Sequence, residues 1–452
     1  MGYIMNKNFI KLFGAMFVVC TMWLAGCMPG QQDTEKPNKT VLKYTLTKLD
    51  AAKTHKIAAP NKIRGIVTSG DGEWLYVVGE DKASLRSFGV ENRQWADALG
   101  DFKALKKAGD RKAAPDLSGL AVNGFSASKD GMLLTLKDHG LVVLRGTGVE
   151  NASYYDHVAG FTKGSYSPLQ VSKGPDSFIY LFDQATAKKG VVFKAYVEPP
   201  KLDAKGFDNS FKKSITPKEQ LTHVFWARAQ DNKGNLLLAD AEGIKRLLAE
   251  DIGVNKKALD DGGKPIISVD KLMLDHKTKN DHINALAMID DKHLVIGLES
   301  SGTHNGGVVV TDLTAQKATY RATGAGLTVL SIATERVKHP EKTRIGAMVT
   351  TDKGLLVLDN HGEPMEIVAG AGALITSDYV TKHRLETKDY DKAQNGFTGD
   401  TITDPGKKGY RGAAQDKNGL WYLAFPHDIY TLDIVTEQVE APKFVPELPP
   451  VP

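Results

Sequence analysis

Seven acidic residues stand at comparable places along the chain, each shortly after a run of apolar residues. They are Asp81, Asp138, Asp183, Asp240, Glu299, Asp352 and Asp428. Three histidines lie in the same predicted loops as members of this set, namely His139, His304 and His427. Hard cations such as Ca²⁺ take roughly six to eight oxygen ligands, which carboxylates supply. If the fold brings these side chains together, we expect a polar funnel that binds a cation or a cationic ligand.

The alternative interpretation of the same acids is turn chemistry. Asp is favoured at the first position of a β-turn, because its carboxylate can accept hydrogen bonds from the backbone that follows. Seven uncompensated carboxylates would also repel one another, and lysines at 82, 137, 188 and 189 stand nearby as partners. We therefore assign no catalytic residue and no metal ligand. No cofactor is predicted, and a structural calcium ion stays an alternative without further support in the sequence.

Other chemical patterns are weaker. The pairs Asp275-His276 and Asp281-His282 could ligate zinc, but neither a cysteine nor a His-Glu-x-x-His helix accompanies them. The chain contains no Gly-x-Ser-x-Gly nucleophile elbow, and no pair of carboxylates is typical of glycoside hydrolysis.

A repeated unit positions these residues. Each copy has a short apolar segment, a polar turn that often reads Asp-x-x-Gly, a second apolar segment, a loop and a third segment. The seven copies are Ile63–Phe88, Val122–Gly146, Leu169–Val197, Val224–Leu248, Ile283–Leu313, Val329–Asp359 and Tyr410–Ile434. The apolar segments are four to six residues long and are bounded by Gly, Asp and Asn, which favours strands over helices.

These copies predict an all-β, seven-bladed propeller of four-stranded antiparallel blades. A fourth strand is expected after the third, for example at Ala318–Gly324. Copies begin about fifty residues apart, the spacing of propeller blades. A β-sandwich pair and a β-solenoid are the alternatives, but a solenoid needs a shorter period and a sandwich would not repeat the unit seven times. Loop and short-helix insertions are expected between copies, with a helix within residues 91–118.

The two ends of the chain are predicted to close the ring. Residues 41–49 alternate apolar and polar side chains before the first copy, so we expect them to supply the outer strand of the last blade. The propeller is thus assigned to residues 41–441. Residues 442–452 are rich in proline and are predicted to be a surface tail.

The copies Val224–Leu248 and Tyr410–Ile434 resemble the propeller repeats of bacterial sensor proteins and the NHL-type repeats. The resemblance implies the fold and says little about function, since propellers include binding proteins, scaffolds and enzymes.

The N-terminus has the pattern of an export signal. Lys7 and Lys11 precede fourteen uncharged residues, 12–25, a run too short for a comfortable membrane span. Residues 24–27, Leu-Ala-Gly-Cys, then resemble the lipobox of bacterial lipoproteins. The resemblance implies cleavage after residue 26 and lipid on Cys27, and two or more acyl chains would anchor the protein stably.

Residues 27–40 are polar and rich in turn formers, so we expect a flexible tether between membrane and propeller. In the lipoprotein family an aspartate after the lipidated cysteine favours the inner membrane; Met28 stands here, which favours the outer membrane if the host is Gram-negative. After removal of residues 1–26, 56 basic side chains face 54 acidic ones. That balance gives no basis for nucleic-acid binding.

Two functions are consistent with these features. The first is a membrane-anchored, extracytoplasmic and non-catalytic propeller that binds a protein or glycan partner. The second is a periplasmic or surface lyase or hydrolase with its site at the mouth of the propeller channel.

Overall fold

The computed structural model describes the strands and most of the turns that join them. The described residues are 39–49, 62–80, 85–100, 122–128, 131–136, 141–145, 152–155, 166–173, 176–183, 193–197, 220–221, 226–251, 255, 257–258, 261–272, 282–299, 305–325, 328–336, 345–351, 355–363, 367–368 and 410–439. The predicted signal peptide, residue Cys27 and residues 442–452 lie outside these ranges. The sheets belong to one compact unit, Val41–Glu437. Among the described residues, no helix is long and apolar enough to cross a membrane.

Six sheets each come from one contiguous stretch of chain, and their strands are numbered in chain order. Sheet 1 contains β2 (Ile63–Thr68), β3 (Trp74–Gly79), β4 (Leu85–Gly89) and β5 (Gln94–Gly100). Sheet 2 contains β6 (Val122–Ser128), β7 (Gly131–Leu136), β8 (Leu141–Arg145) and β9 (Ala152–Tyr155). Sheet 3 contains β10 (Tyr166–Lys173), β11 (Asp176–Asp183), β12 (Phe193–Val197) and β13 (Gln220–Leu221).

The next three sheets follow the same order. Sheet 4 contains β14 (Ala227–Gln230), β15 (Leu236–Asp240), β16 (Gly243–Leu247) and β17 (Lys264–Ser268), with short 3₁₀ helices at Ala249–Asp251 and Asp270–Leu272. Sheet 5 contains β18 (His282–Met288), β19 (His293–Glu299), β20 (Asn305–Asp312) and β21 (Lys317–Ala325). Sheet 6 contains β22 (Val329–Thr334), β23 (Ile345–Thr351) and β24 (Leu355–Asp359).

The closing sheet joins the two ends of the chain. Its order is β25 (Ile367–Val368), β1 (Lys39–Lys48), β28 (Ile429–Val439), β27 (Trp421–Ala424) and β26 (Gly412–Gln415). The prediction that residues 41–49 join the last copy is confirmed, since β1 lies beside β28, but the outermost strand of this sheet is β25 and not β1. The described residues thus contain six self-contained blades rather than the seven expected, because the copy Tyr410–Ile434 forms a sheet only together with β1 and β25.

Burial between adjacent sheets explains why these segments are strands. The second strand of a sheet is enclosed on both faces, so every residue of β7 and β15 is buried. Apolar clusters join sheet 1 to sheet 2, sheet 4 to sheet 5, sheet 5 to sheet 6, sheet 6 to the closing sheet and the closing sheet to sheet 1. First strands are neighbours as well, since β6 contacts β10 of sheet 3. The all-β propeller with four-stranded antiparallel blades is therefore confirmed for sheets 1–5.

The helix expected within residues 91–118 is wrong for residues 94–100, which form β5. This strand pairs antiparallel with β4, and Trp95 lies opposite Phe88. The Trp95 side chain is buried, with its ring centroid 5.2 Å from that of Phe88. The backbone pairing with β4 and the burial of Trp95 together stabilise a strand here. They outweigh the helix preference indicated by the spacing of the apolar residues, which is only a weak local effect.

Candidate functional site

Each sheet has two ends, which differ in their chemistry. In an antiparallel meander the first strand begins at the end of the sheet where the second strand finishes, and we call this the rim end. The opposite end, where the first and third strands finish, is called the turn end. The second-to-third strand loops that carry the predicted acids therefore belong to the rim end.

First strands of four sheets begin with a β-bulge at the rim end. The pairing with the second strand shifts register between Ile63 and Gly65, Val122 and Gly124, Ile283 and Ala285, and Val329 and Ser331. A bulge leaves its extra residue outside the ladder and re-aims that side chain. The extra residues are Arg64, Asn123, Asn284 and Leu330, three of which are polar.

Two of the four bulge side chains reach the next sheet around the ring. Arg64 Nη2 of sheet 1 donates to the carbonyl oxygen of Asn123 in sheet 2 at 2.6 Å. Asn284 Nδ2 of sheet 5 donates to the carbonyl oxygen of Val329 in sheet 6 at 2.7 Å. Arg411 directly precedes β26, and its Nη2 lies 3.6 Å from Glu80 Oε2 of sheet 1. These contacts tie neighbouring sheets together where their first strands begin.

Lys62, Arg64, Glu80 and Arg411 form a cluster that we call the basic rim. Lys62 Nζ lies 2.9 Å from Glu80 Oε2. The close ion pair with Lys62 and the charges of both arginines outweigh partial burial, and so the pKa of Glu80 is lowered. Burial lowers the pKa of Arg64, and the charge of Glu80 opposes that shift. With Glu80 ionised, these four side chains carry a net charge of +2.

Two buried atoms of the basic rim, Glu80 Oε2 and Arg411 Nε, have no hydrogen-bond partner among the described residues. Arg411 Nε is buried and makes no such bond, although the side chain as a whole is 30 % exposed. A buried donor of this kind is usually satisfied by water or by a ligand. The basic rim therefore has the chemistry to accept an anionic group such as a carboxylate or a phosphate.

Asp240 is fixed by turn chemistry and by an ion pair. Its Oδ1 accepts hydrogen bonds from the backbone N–H groups of Glu242 and Gly243, at 2.8 and 3.2 Å. Its Oδ2 lies 2.7 Å from Lys245 Nζ, with both side chains 8 % exposed. Burial alone would lower the pKa of Lys245, but its bonds to Asp240 and Glu242 raise it. This acid is held inside its own turn.

The other predicted site residues are placed less completely. Asp428 Oδ1 lies 2.7 Å from Nζ of Lys48, the last residue of β1, and His427 beside it is exposed. Asp183 ends β11 and Glu299 ends β19, so both lie at the rim end as expected. The remaining candidates lie outside the described residues: Asp81, Asp138, His139, His304 and Asp352. Convergence of the acids on one cation stays a prediction.

Other aspartates repeat one turn geometry at the turn end. In each, Oδ1 of the first residue accepts from the N–H groups two and four residues later, and a glycine at the fourth position has positive φ. These turns begin at Asp231, Asp359 and Asp416. The prediction that Asp-x-x-Gly marks tight hairpin turns is confirmed for Asp231 and Asp416, which join first to second strands.

A cluster of two histidines and one aspartate lies at the turn end between sheets 5 and 6. It consists of Asp290 and His293, from the turn into β19, and His361, from the turn after β24; one donor atom from each lies within 4.8 Å of the others. Sequence reasoning missed this cluster. Its signal is weak, an Asp-x-x-His turn in one copy and an Asp-Asn-His-Gly turn in the next.

Comparison with known proteins gives no family. No protein-family model and no curated protein matches the chain. Among solved structures, the WD40 domain of Neurospora crassa Pan2 is similar at 13 % identity and TM-score 0.47, over 86 % of this chain and 94 % of that chain. The extracellular domain of BT4673 from B. thetaiotaomicron is similar at 11 % identity and TM-score 0.45. That match covers 84 % of this chain but only 39 % of the BT4673 chain.

A third similar structure is YCF48 bound to D1 peptide, at 10 % identity and TM-score 0.42, over 89 % of this chain and 97 % of that chain. At these identities and scores the likenesses carry no inference about function. The fold assignment rests on the order of the strands in the sheets of this chain.

Proposed function

We propose that this protein is a lipid-anchored, extracytoplasmic and non-catalytic propeller that binds an anionic group of a protein or glycan partner. The closing sheet acts as the seventh blade, and lipid on Cys27 holds the ring at a membrane surface of the cell envelope, the outer membrane in a Gram-negative host. The basic rim is the observation that carries this proposal.

Geometry supports the basic rim as a docking point. Arg64 lies in the first strand of sheet 1 and Arg411 directly precedes that of the closing sheet. These two strands pack against each other, which holds the backbone of both arginines in place. Lys62 and Arg411 are partly exposed, at 38 % and 30 % of their side chains. Arginine presents its donors in a planar fork that matches a carboxylate or phosphate, which adds geometric specificity to the charge.

The position of β1 supports the anchoring part of the proposal. This strand begins at Lys39, twelve residues after Cys27. An extended chain spans at most about 3.5 Å per residue, so the tether between Cys27 and Lys39 reaches about 40 Å. The hydrogen bond from Leu49 N to the carbonyl oxygen of Ile429, at 2.8 Å, ties the far end of β1 to the closing sheet. A tether of this length would keep the propeller close to the membrane.

The test compares the full chain with a Lys62→Gln/Arg411→Gln variant by cross-linking in cells and mass spectrometry. The matched control is Lys233→Gln/Lys264→Gln, which removes two exposed lysines of sheet 4. We expect the wild type and the control to cross-link the same partner, and the rim variant to lose most of it. Circular dichroism checks that each variant is folded.

A third arm, Cys27→Ser, addresses the anchor. We expect this variant to leave the detergent phase and the membrane fraction. If the rim variant cross-linked the partner as well as the wild type does, the role of the basic rim would be refuted. An unchanged membrane fraction for Cys27→Ser would refute the anchor independently of the partner.

A further inference from the structure

The contact between sheets 5 and 6 determines where His361 lies. Gly362, the next residue, has φ +82°, and a Cβ atom there would stand 2.4 Å from Val310 Cγ1 of β20. Only glycine allows this approach, because its backbone accepts positive φ and it brings no side chain against Val310. The turn is fixed further by Asp359 Oδ1, which accepts from the N–H of His361 at 2.8 Å. His361 is therefore held beside the turn that carries Asp290 and His293.

Asp290 is oriented before any ligand arrives. Its Oδ1 accepts from the backbone N–H groups of Lys292 and His293, at 2.7 and 2.6 Å. Its Oδ2 lies 2.8 Å from His293 Nδ1. Although partial burial acts in the other direction, these bonds lower the pKa of Asp290. The carboxylate is thus ionised at neutral pH, and its position is set by the backbone of its own turn.

The two imidazole rings complete the group. The ring centroids of His293 and His361 lie 6.0 Å apart, with the planes at 85°. His293 is mostly buried, with 15 % of its side chain exposed, whereas His361 is exposed. His293 is held in place and His361 is accessible, so a small ion can reach the cluster from the side of His361.

We infer that Asp290, His293 and His361 bind one divalent transition-metal ion, for which Zn²⁺ is the best first probe. Imidazole nitrogen is a borderline donor that suits Zn²⁺, and zinc sites also combine histidines with a carboxylate, whereas Ca²⁺ needs roughly six to eight oxygens. Three protein ligands leave a fourth position for water. Around a tetrahedral ion with bonds of about 2.0–2.1 Å, donor atoms lie roughly 3.4 Å apart. The three donor atoms lie within 4.8 Å of one another, so side-chain rotation would bring them to this spacing.

Nearby charge favours a cation. Asp312 is the cross-strand partner of His293 in the pairing of β19 with β20. Asp312 Oδ1 accepts hydrogen bonds from the backbone N–H groups of Thr314 and Ala315, at 2.7 and 2.9 Å. A second carboxylate, fixed by its own turn, therefore stands beside the cluster. An ion bound here would link sheets 5 and 6 at the turn end, independently of the basic rim.

The experiment is isothermal titration of the untagged full chain in detergent with ZnCl₂, alongside the visible absorption of Co²⁺ as a report of ligand geometry. We expect one ion per chain and a rise in melting temperature with Zn²⁺ that EDTA reverses. Variants His361→Ala and His293→Gln should bind roughly 10-fold more weakly or worse. His427→Ala, which removes an exposed histidine from a turn of the closing sheet, should bind as the wild type does.

His361→Ala is the decisive variant, since the side chain is exposed and the turn is held by backbone bonds. Binding that is unchanged in both His361→Ala and His293→Gln would overturn the assignment, as would the absence of saturable binding at millimolar Zn²⁺. A loss confined to these variants, with His427→Ala unaffected, would support it.

Discussion

The two ends of the sheets use polar side chains in different ways. At the turn end, aspartates repeat from copy to copy and bond their own backbone, as Asp231 and Asp416 do. At the rim end, the bulge residues vary between Arg, Asn and Leu, and the side chains of Arg64 and Asn284 donate to a neighbouring sheet. Repetition in the sequence therefore marks residues that shape a single hairpin. Residues that join sheets, or could meet a partner, are the ones that vary.

The buried acid Asp240 gives the largest expected effect on stability. Replacing it with Ala removes the main partner of Lys245, which is equally buried, and leaves a cation that retains only Glu242 at 3.0 Å. We expect Asp240→Ala to lower the free energy of unfolding by about 3 kcal/mol. Urea denaturation followed by circular dichroism measures it. Glu242→Ala is the matched control, because Glu242 is exposed and its loss should cost under about 1 kcal/mol. Equal costs would show that Asp240 is not a structural turn residue.

The bonds between sheets at the rim end should matter less for stability. Arg64→Gln removes a charged donor to the carbonyl oxygen of Asn123, and we expect a loss of about 1.5 kcal/mol. Asn284→Ala removes a neutral donor to the carbonyl oxygen of Val329, for about 1 kcal/mol. The same denaturation assay applies. A loss above that of Asp240→Ala for either variant would show that bonds between sheets stabilise the fold more than the bonds within this one turn.

Sequence alone predicted the strands well, because a segment such as Leu236–Asp240 is too short for a helix and is apolar up to its last residue. Closure by residues 41–49 followed from their alternation and from the need of a ring to end where it began. The sequence could not show which residue of a first strand is bulged. In sheet 1 that residue is Arg64, and only the register of the pairing between β2 and β3 reveals it. Nor could the sequence bring His293 close to His361, because that contact depends on the packing of two sheets.

The roles of the acids divide in the same way. Turn chemistry was one of two interpretations of Asp240, and its hydrogen bonds agree with it. Strand pairing decided against a helix at Gln94–Gly100, where local spacing alone was misleading. Local geometry was thus predictable wherever one hairpin determines it. Contacts across copies needed the structure.

The smallest expected effect concerns Asp290 and the pH dependence of stability. Its folded pKa is lowered from the ordinary value of 3.8, so its contribution is present above that value and is lost as pH falls through the folded pKa. The side chain is 29 % exposed, and we expect a contribution under about 1 kcal/mol. Asp290→Asn should therefore flatten the decline in unfolding free energy below about pH 4 in metal-free buffer. Asp291→Asn, which alters an exposed neighbour and leaves the bonds of Asp290 in place, should keep the wild-type slope. An unchanged slope in Asp290→Asn would mean that its bonds to His293 and Lys292 do not form in solution, and that this turn is less ordered than those of Asp231 and Asp416.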